Sequence, residues 1–298
     1  MRWFLTNLIW LFATTTLAFP TQKQSSWELG HDIKNISELG LGRYTDTFYT
    51  EKTVLPPLKR SSQSISSTDI QDGRFTRVGM DWLLQKSLAD VNTPGLKETT
   101  AALGEFFSKH NIPWVISGGW ALILHGEPTR KTPDIDIIVE TTMPELKKLL
   151  AEDGRFLVPG DNWWPDDAHL QTFHKATFKN EQKYYDVDMI ISGQKNSAKK
   201  VASITQSVPM TYEGKNLAIP VIGIKQLFIS KVYGLASPKR QYKHGQDVQD
   251  ISWLIENRIN DLASMKQDLP LDKRQIVVRE LNRYHSPSLA KARKLLGL

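Results

Sequence analysis

The chain has 298 residues, 40% of them hydrophobic and 23% charged, the balance of a soluble globular protein with room for one large or two small domains. It contains no cysteine, which excludes disulfides, thiol chemistry and cysteine-ligated zinc or iron–sulfur centres. Its formal net charge of +6 is a mild basic bias, compatible with nucleotide or RNA binding but insufficient to argue for either.

Residues 1–18 read as a secretory signal peptide. Arg2 supplies a positive start, Trp3 to Leu17 is mostly apolar, and Thr16-Leu17-Ala18 ends in small residues at the cleavage positions. The run is short for a membrane span, although an uncleaved anchor is the other reading. The expected location is the secretory pathway or outside the cell, with no stable membrane association after signal removal. A mis-assigned start would leave the chain cytoplasmic. Residues 19–78 are rich in Ser, Thr, Gln and charge and read as a flexible leader or propeptide. Lys59-Arg60 is either a processing site, alternative to Ala18, or two solvated bases. Asn35-Ile36-Ser37 is a glycosylation sequon within this leader.

The folded part is expected to begin near Val78, with residues 79–222 as the catalytic domain and 223–298 as a helical C-terminal region. Met80 to Leu88 reads as a helix. Pro94 to His110 reads as another, since Leu96, Thr100, Leu103, Phe106 and Phe107 recur at helical spacing. A short apolar strand, Pro113 to Ile116, then runs into Ser117-Gly118-Gly119 and an apolar segment of two helical turns, Trp120 to His125. At such a glycine pair the backbone can approach a phosphate closely and direct its N–H groups toward it.

After a polar break, Asp134-Ile135-Asp136-Ile137-Ile138-Val139 alternates as a strand does, so Asp134 and Asp136 share one face. Two carboxylates side by side repel. A fold keeps them most easily where a cation binds. Mg²⁺ takes one or two protein carboxylates and completes its shell with water and phosphate oxygens. A phosphate seat 16 residues before a carboxylate pair suits metal-assisted nucleotidyl transfer.

Met143 to Glu152 is the next helix, with Thr142 as its cap and Pro144 in its first turn. Arg155 to Val158 and Phe173 to Phe178 read as strands. Between them lies a turn-rich loop with Trp163 and Trp164, whose rings either stack on a base or acceptor ring or cover the core edge. Tyr184 to Ile191 is a strong strand that puts Asp186 and Asp188 on one face. Lys195 to Gln206 reads as a basic helix. Pro209 to Tyr212 and Leu217 to Val221 form a hairpin about Glu213-Gly214-Lys215-Asn216. Ile224 to Tyr233 is an amphipathic helix carrying Lys231. A basic loop with Lys239, Arg240, Lys243 and His244, and then Asp247-Val248-Gln249-Asp250-Ile251, precede another helix through Ile255. Helices over Leu271–Tyr284 and Pro287–Leu296 complete a small basic tail. No histidine pair stands at metal-ligand spacing, and His125, His169, His174 and His244 read as structural or surface residues. There is no Gly-x-Ser-x-Gly, Walker loop or dinucleotide fingerprint.

Ser117-Gly118-Gly119-Trp120-Ala121, Thr129-Arg130 and Asp134-Ile135-Asp136 together resemble the nucleotidyltransferase superfamily of the DNA polymerase β type. Its small-enzyme branches, the aminoglycoside and lincosamide nucleotidyltransferases and the toxin-type members, are the most similar. The resemblance spans roughly residues 95–256. It implies an α/β (α+β) nucleotidyltransferase fold, a mixed sheet flanked by helices, with a helical C-terminal part. It further implies transfer of an NMP from an NTP to a hydroxyl of a small molecule or tRNA. Two Mg²⁺ ions would be held by Asp134, Asp136 and a third carboxylate, Asp188 or alternatively Asp186. Asp188 is preferred because Met189-Ile190-Ile191 follows it directly, as in the family pattern. The same resemblance gives Ser117, Gly118, Gly119, Arg130 and Lys231 to the nucleotide phosphates and gives Asp247 the bracing of the basic loop. A nucleotide-binding module without chemistry and a secreted interaction protein on the same fold are the alternatives.

Overall fold

The computed structural model describes residues 68–298, apart from 90–92, 162, 165, 179–180 and 196. The signal peptide, most of the leader, Lys59-Arg60 and the Asn35 sequon lie outside the described residues. Among the described residues no helix is long and apolar enough to cross a membrane.

One mixed sheet organises the fold. Its strands are β1 (Ile70–Gln71), β2 (Arg74–Phe75), β3 (Trp114–Ser117), β4 (Asp134–Val139), β5 (Phe156–Pro159), β6 (His169–Phe178), β7 (Glu181–Ile191), β8 (Thr205–Tyr212) and β9 (Lys215–Ile222). They lie in the order β1-β2-β5-β6-β7-β4-β3-β9-β8. The long hairpin β6–β7 is antiparallel, and β7 then runs parallel to β4 with Asp134 opposite Asp186 and Asp136 opposite Asp188. β3 is antiparallel to β4, and this puts Ser117 opposite Asp136. Side chains alternate along a strand. The register therefore brings four aspartates to one face of two neighbouring strands.

The sheet starts earlier than the sequence suggests. The β1–β2 hairpin falls inside the expected leader, and β2 pairs in parallel with β5. Phe75 explains this anchoring. It is fully buried, its ring centroid lies 5.4 Å from that of Phe173 and 5.9 Å from that of Trp163, and it belongs to a small core with Leu83, Leu84 and Leu157. The helix α1 (Arg77–Ala89) brings Leu83 and Leu84 to that core on the aspartate-bearing face. On the other face, α2 (Thr93–Lys109) buries Leu96, Leu103, Phe106 and Phe107. There Thr99 hydrogen-bonds His174 at 3.0 Å.

The short α3 (Gly118–Leu124) and α4 (Met143–Glu152) match the apolar spacing. Thr142 stands at the N-cap of α4 in extended backbone but makes no side-chain capping bond. Among the described residues of Lys195–Gln206 the expected basic helix does not form. Only a 3₁₀ turn at Val201–Ile204 forms, and Thr205 already opens β8. Within that turn just Val201 and Ile204 are buried, two apolar residues too few for an amphipathic stripe. The β8–β9 hairpin turns at Glu213-Gly214, both with positive φ (47° and 72°), the geometry of a two-residue type I′ turn.

The C-terminal part packs α5 (Ile224–Leu235), α6 (His244–Asn257), α7 (Met265–Asp268), α8 (Leu271–Arg283) and α9 (Leu289–Leu296). Leu227, Phe228, Ile251, Leu254, Val277 and Leu281 are fully buried there and belong to the same core as the sheet. A serine triangle ties the segment before α9 to α6, with Ser252 2.7 Å from Ser286 and 2.8 Å from Ser288.

Candidate active site

The site forms where β3 ends beside β4. At Gly118 the backbone turns left-handed, with φ +64°. A Cβ at Gly118 would stand 1.8 Å from Asp136 Oδ2. No side chain fits that position, so only glycine lets the chain run directly over the carboxylate. Gly119 is nearly as crowded, because a Cβ there would meet Thr132 Oγ1 at 2.7 Å and Arg130 Nη2 at 3.0 Å. The glycine pair is therefore pressed between an acid on one side and a guanidinium on the other.

Asp134, Asp136 and Asp188 each offer a carboxylate oxygen, and these oxygens lie within 4.8 Å of one another. Asp134 and Asp188 are buried, and Asp136 is partly open. Thr132 Oγ1 donates to Asp134 Oδ1 at 2.5 Å and orients it. An all-oxygen, anionic donor set of this size fits a hard divalent cation.

Asp186 lies on the same face yet stands outside this cluster. Gln171 Nε2 donates to both of its oxygens, at 3.1 and 3.0 Å. Its own amide donates to Ser87 Oγ on α1 at 3.3 Å. Burial pushes the Asp186 carboxyl well above the usual range, and the neighbouring Asp188 and Asp134 push it further. Of the two acids the sequence left open, Asp188 is the one with an oxygen in the cluster of Asp134 and Asp136.

His169 touches the cluster, unlike the structural or surface role expected of it. Its Nε2 lies 3.0 Å from Asp188 Oδ1. The loop before β6 holds it there. Its amide donates to Asp166 Oδ1 at 3.1 Å, and its carbonyl accepts from Trp164 Nε1 at 2.8 Å. The other tryptophan of that loop, Trp163, donates its indole N–H to the Phe75 carbonyl at 2.9 Å. Both indole N–H groups are thus spent on backbone carbonyls, and the rings cover the core edge instead of standing free to stack. No spacing rule points to His169, since it lies 19 residues from its partner and meets it only across the β6–β7 pair.

A second charged group lies beyond Arg130. Arg130 Nε donates to Asp250 Oδ1 at 3.1 Å, and Lys231 Nζ sits 2.6 Å from Asp250 Oδ2. Lys231 is also 3.7 Å from Asp247 Oδ1, and Arg240 Nη2 is 3.7 Å from Asp247 Oδ2. Burial alone would raise the Asp250 carboxyl, but the Lys231 and Arg130 charges outweigh it and hold it below the usual range. Asp247 does contact the basic loop, through Arg240. Asp250 is the hub, a role the sequence did not single out. His125 and His174 are structural, bonded to the Ile222 carbonyl at 2.7 Å and to Thr99.

Residues 101–207 match the family model of the aminoglycoside-2''-adenylyltransferases. No curated protein matches the chain. An antigenic nucleotidyltransferase-like protein from Paracoccidioides brasiliensis superposes with a TM-score of 0.51 at 15% identity, covering 69% of this chain and 94% of that one. ANT(2'')-Ia, solved in complex with adenylyl-2''-tobramycin, gives a TM-score of 0.34 at 17% identity, covering 69% of this chain and 99% of that one. The family match takes in the glycine turn and the acidic strands, and the first of these structures, a nucleotidyltransferase-like protein, shares the fold.

Proposed function

We propose that the chain is an Mg²⁺-dependent nucleotidyltransferase that moves an NMP from an NTP to a hydroxyl of a small molecule or a tRNA. The observation that carries this reading is the meeting of three carboxylates within 4.8 Å directly beneath the Gly118 backbone. Asp134, Asp136 and Asp188 would hold two Mg²⁺ ions. When bound, the metal polarises the α-phosphate and neutralises the leaving pyrophosphate.

The chain's own groups do the rest. Ser117, Gly118 and Gly119 seat the β- and γ-phosphates, because two residues without side chains let the backbone approach them. Asp188 orients the acceptor hydroxyl and draws its proton as the oxygen attacks the α-phosphorus. His169, bonded to one oxygen of Asp188, fixes the direction of the other. Arg130 stands over Gly119 and offers positive charge to the transferring phosphate. Its guanidinium is tethered by Asp250, whose charge Lys231 also balances, so Lys231 acts on the phosphate seat by holding Arg130's anchor. The N-terminal segment would deliver the enzyme to the secretory pathway.

The test incubates the purified chain with each α-³²P-labelled NTP, Mg²⁺, and either total tRNA or a pool of small hydroxylated acceptors. Transfer of label by the wild type and its loss in Asp134→Ala/Asp136→Ala is the expected result. NTP binding by calorimetry without any transfer would overturn the catalytic reading and leave a nucleotide-binding module.

A further inference from the structure

The charge of this protein is unevenly distributed. Residues 223–298 carry 14 Lys and Arg against 7 Asp and Glu, a net of +7, so the other residues together carry a net of −1. The exposed aromatics follow the same division. Among the described residues, the large aromatic side chains that stand exposed are Tyr233, Tyr242 and Tyr284, and all three lie in this C-terminal part. Each leaves somewhat under half of its surface in water, at 43%, 44% and 45%. Three of them within the most basic region of a chain call for a ligand with both flat rings and negative charge.

The cations around these rings are held in place. Lys273 Nζ lies 5.7 Å from the centre of the Tyr233 ring, and the Arg283 guanidinium lies 6.0 Å from that of Tyr284. Arg279 and Arg283 both pair with Glu280, at 2.9 and 3.6 Å. Glu280 is buried, whereas the two arginine side chains are 67% and 70% exposed. One buried acid thus fixes two guanidinium groups on the surface. The Tyr284 ring lies against Gly245 in the first turn of α6, three residues after Tyr242. From there a chain of contacts leads to the acidic cluster. Asp247 on α6 meets Arg240 and Lys231, Lys231 meets Asp250, Asp250 meets Arg130, and Arg130 stands over Gly119.

We infer that this basic, tyrosine-bearing surface of the C-terminal helices binds single-stranded nucleic acid and guides its end toward the acidic cluster as the acceptor. This rests on the nucleotidyl-transfer reading and narrows its acceptor to a polynucleotide. Stacking on exposed rings works for any base but requires that the base be unpaired. The arginines neutralise backbone phosphates, which makes binding salt-dependent.

The experiment measures fluorescence anisotropy of labelled 12-nucleotide oligo(U), oligo(dT) and a 12-base-pair duplex with the full chain, across a series of KCl concentrations. ATP binding is followed on the same sample by calorimetry. Both single strands are expected to bind, more tightly than the duplex. Preference for oligo(U) over oligo(dT) would make RNA the source. Tyr284→Ala and Tyr242→Ala should each weaken strand binding about tenfold, and Tyr284→Phe should retain it. Arg279→Gln/Arg283→Gln should reduce the salt slope by about two. Binding of anionic vesicles with equal sensitivity to Tyr→Ala would overturn the inference in favour of a membrane surface. Failure of the strands to bind while ATP binds would overturn it and leave nucleotidyl transfer standing. Strand binding without ATP binding would instead undo the transfer reading on which the acceptor role rests.

Discussion

Two groups of aspartates lie on either side of Arg130, and they are built on opposite principles. In the first, Asp134, Asp136 and Asp188 turn toward one another within 4.8 Å. In the second, Asp247 and Asp250 turn toward Lys231, Arg130 and Arg240. The same residue type therefore does two jobs. Acids that face acids store repulsion that a divalent cation relieves. Acids that face cations are already neutralised and serve as struts. The distinction explains why the second group holds α5 and α6 against the loop before β4, while the first gathers beside the glycine turn.

The largest test of this contrast is Asp136→Ala. Nucleotidyl transfer should fall on the order of 10⁴-fold, about 5.5 kcal/mol of barrier. In EDTA the same variant should melt no lower than the wild type, since a repulsive partner has gone. A lower melting temperature without metal would show the cluster to be structural.

Asp250→Ala should do the reverse. It strands the buried Lys231 and loosens Arg130, at a cost of about 3–5 kcal/mol in urea unfolding. A loss below about 1 kcal/mol would mean that the network contributes little.

Outside both groups, His174 supplies a control for acid sensitivity. Burial, and then the Arg155 charge, hold its imidazole down at about 4, against 6.5 for the free side chain. Between these values the unfolded chain binds a proton that the folded chain refuses. Its contribution is therefore complete above pH 6.5 and is lost as pH falls toward 4, by up to about 3 kcal/mol. Comparing urea midpoints of the wild type and His174→Gln at pH 7 and pH 4.5 isolates this share, and equal pH responses would contradict it.

The smallest expected effect is at His169. His169→Phe should lower the transfer rate about tenfold by releasing Asp188, about 1.4 kcal/mol. His169→Gln, which keeps a donor, should recover part of it. A rate loss identical in both variants would point to packing instead of the hydrogen bond.

The glycine turn and Asp134–Val139 were legible because strand alternation and glycine chemistry are local. So was α4, whose predicted span Met143–Glu152 is the observed one. The basic segment after Lys195 misled, since lysine-rich polarity resembles a helix surface whether or not an apolar stripe lies beneath it. Residues 70–75 were absorbed into the leader, because two-residue strands carry no period and their anchor, Phe75, is one aromatic whose partners lie on β6 and in the loop before it.

The sequence by itself determined the chemistry on offer: a close-approach glycine pair, two acids on one strand, two more on another, and oxygen as the available ligand. Tertiary structure alone decided which acids meet. Period two sets Asp186 and Asp188 on a common face, but only the β4–β7 register brings Asp188 level with Asp136. Only α1 and Gln171, closing over Asp186, withdraw that acid from the cluster. The same holds for Asp250, His169 and the tryptophans. Their roles depend on partners brought near by strand register and helix packing, and desolvation and charge act through distance in space, which spacing along the chain does not encode.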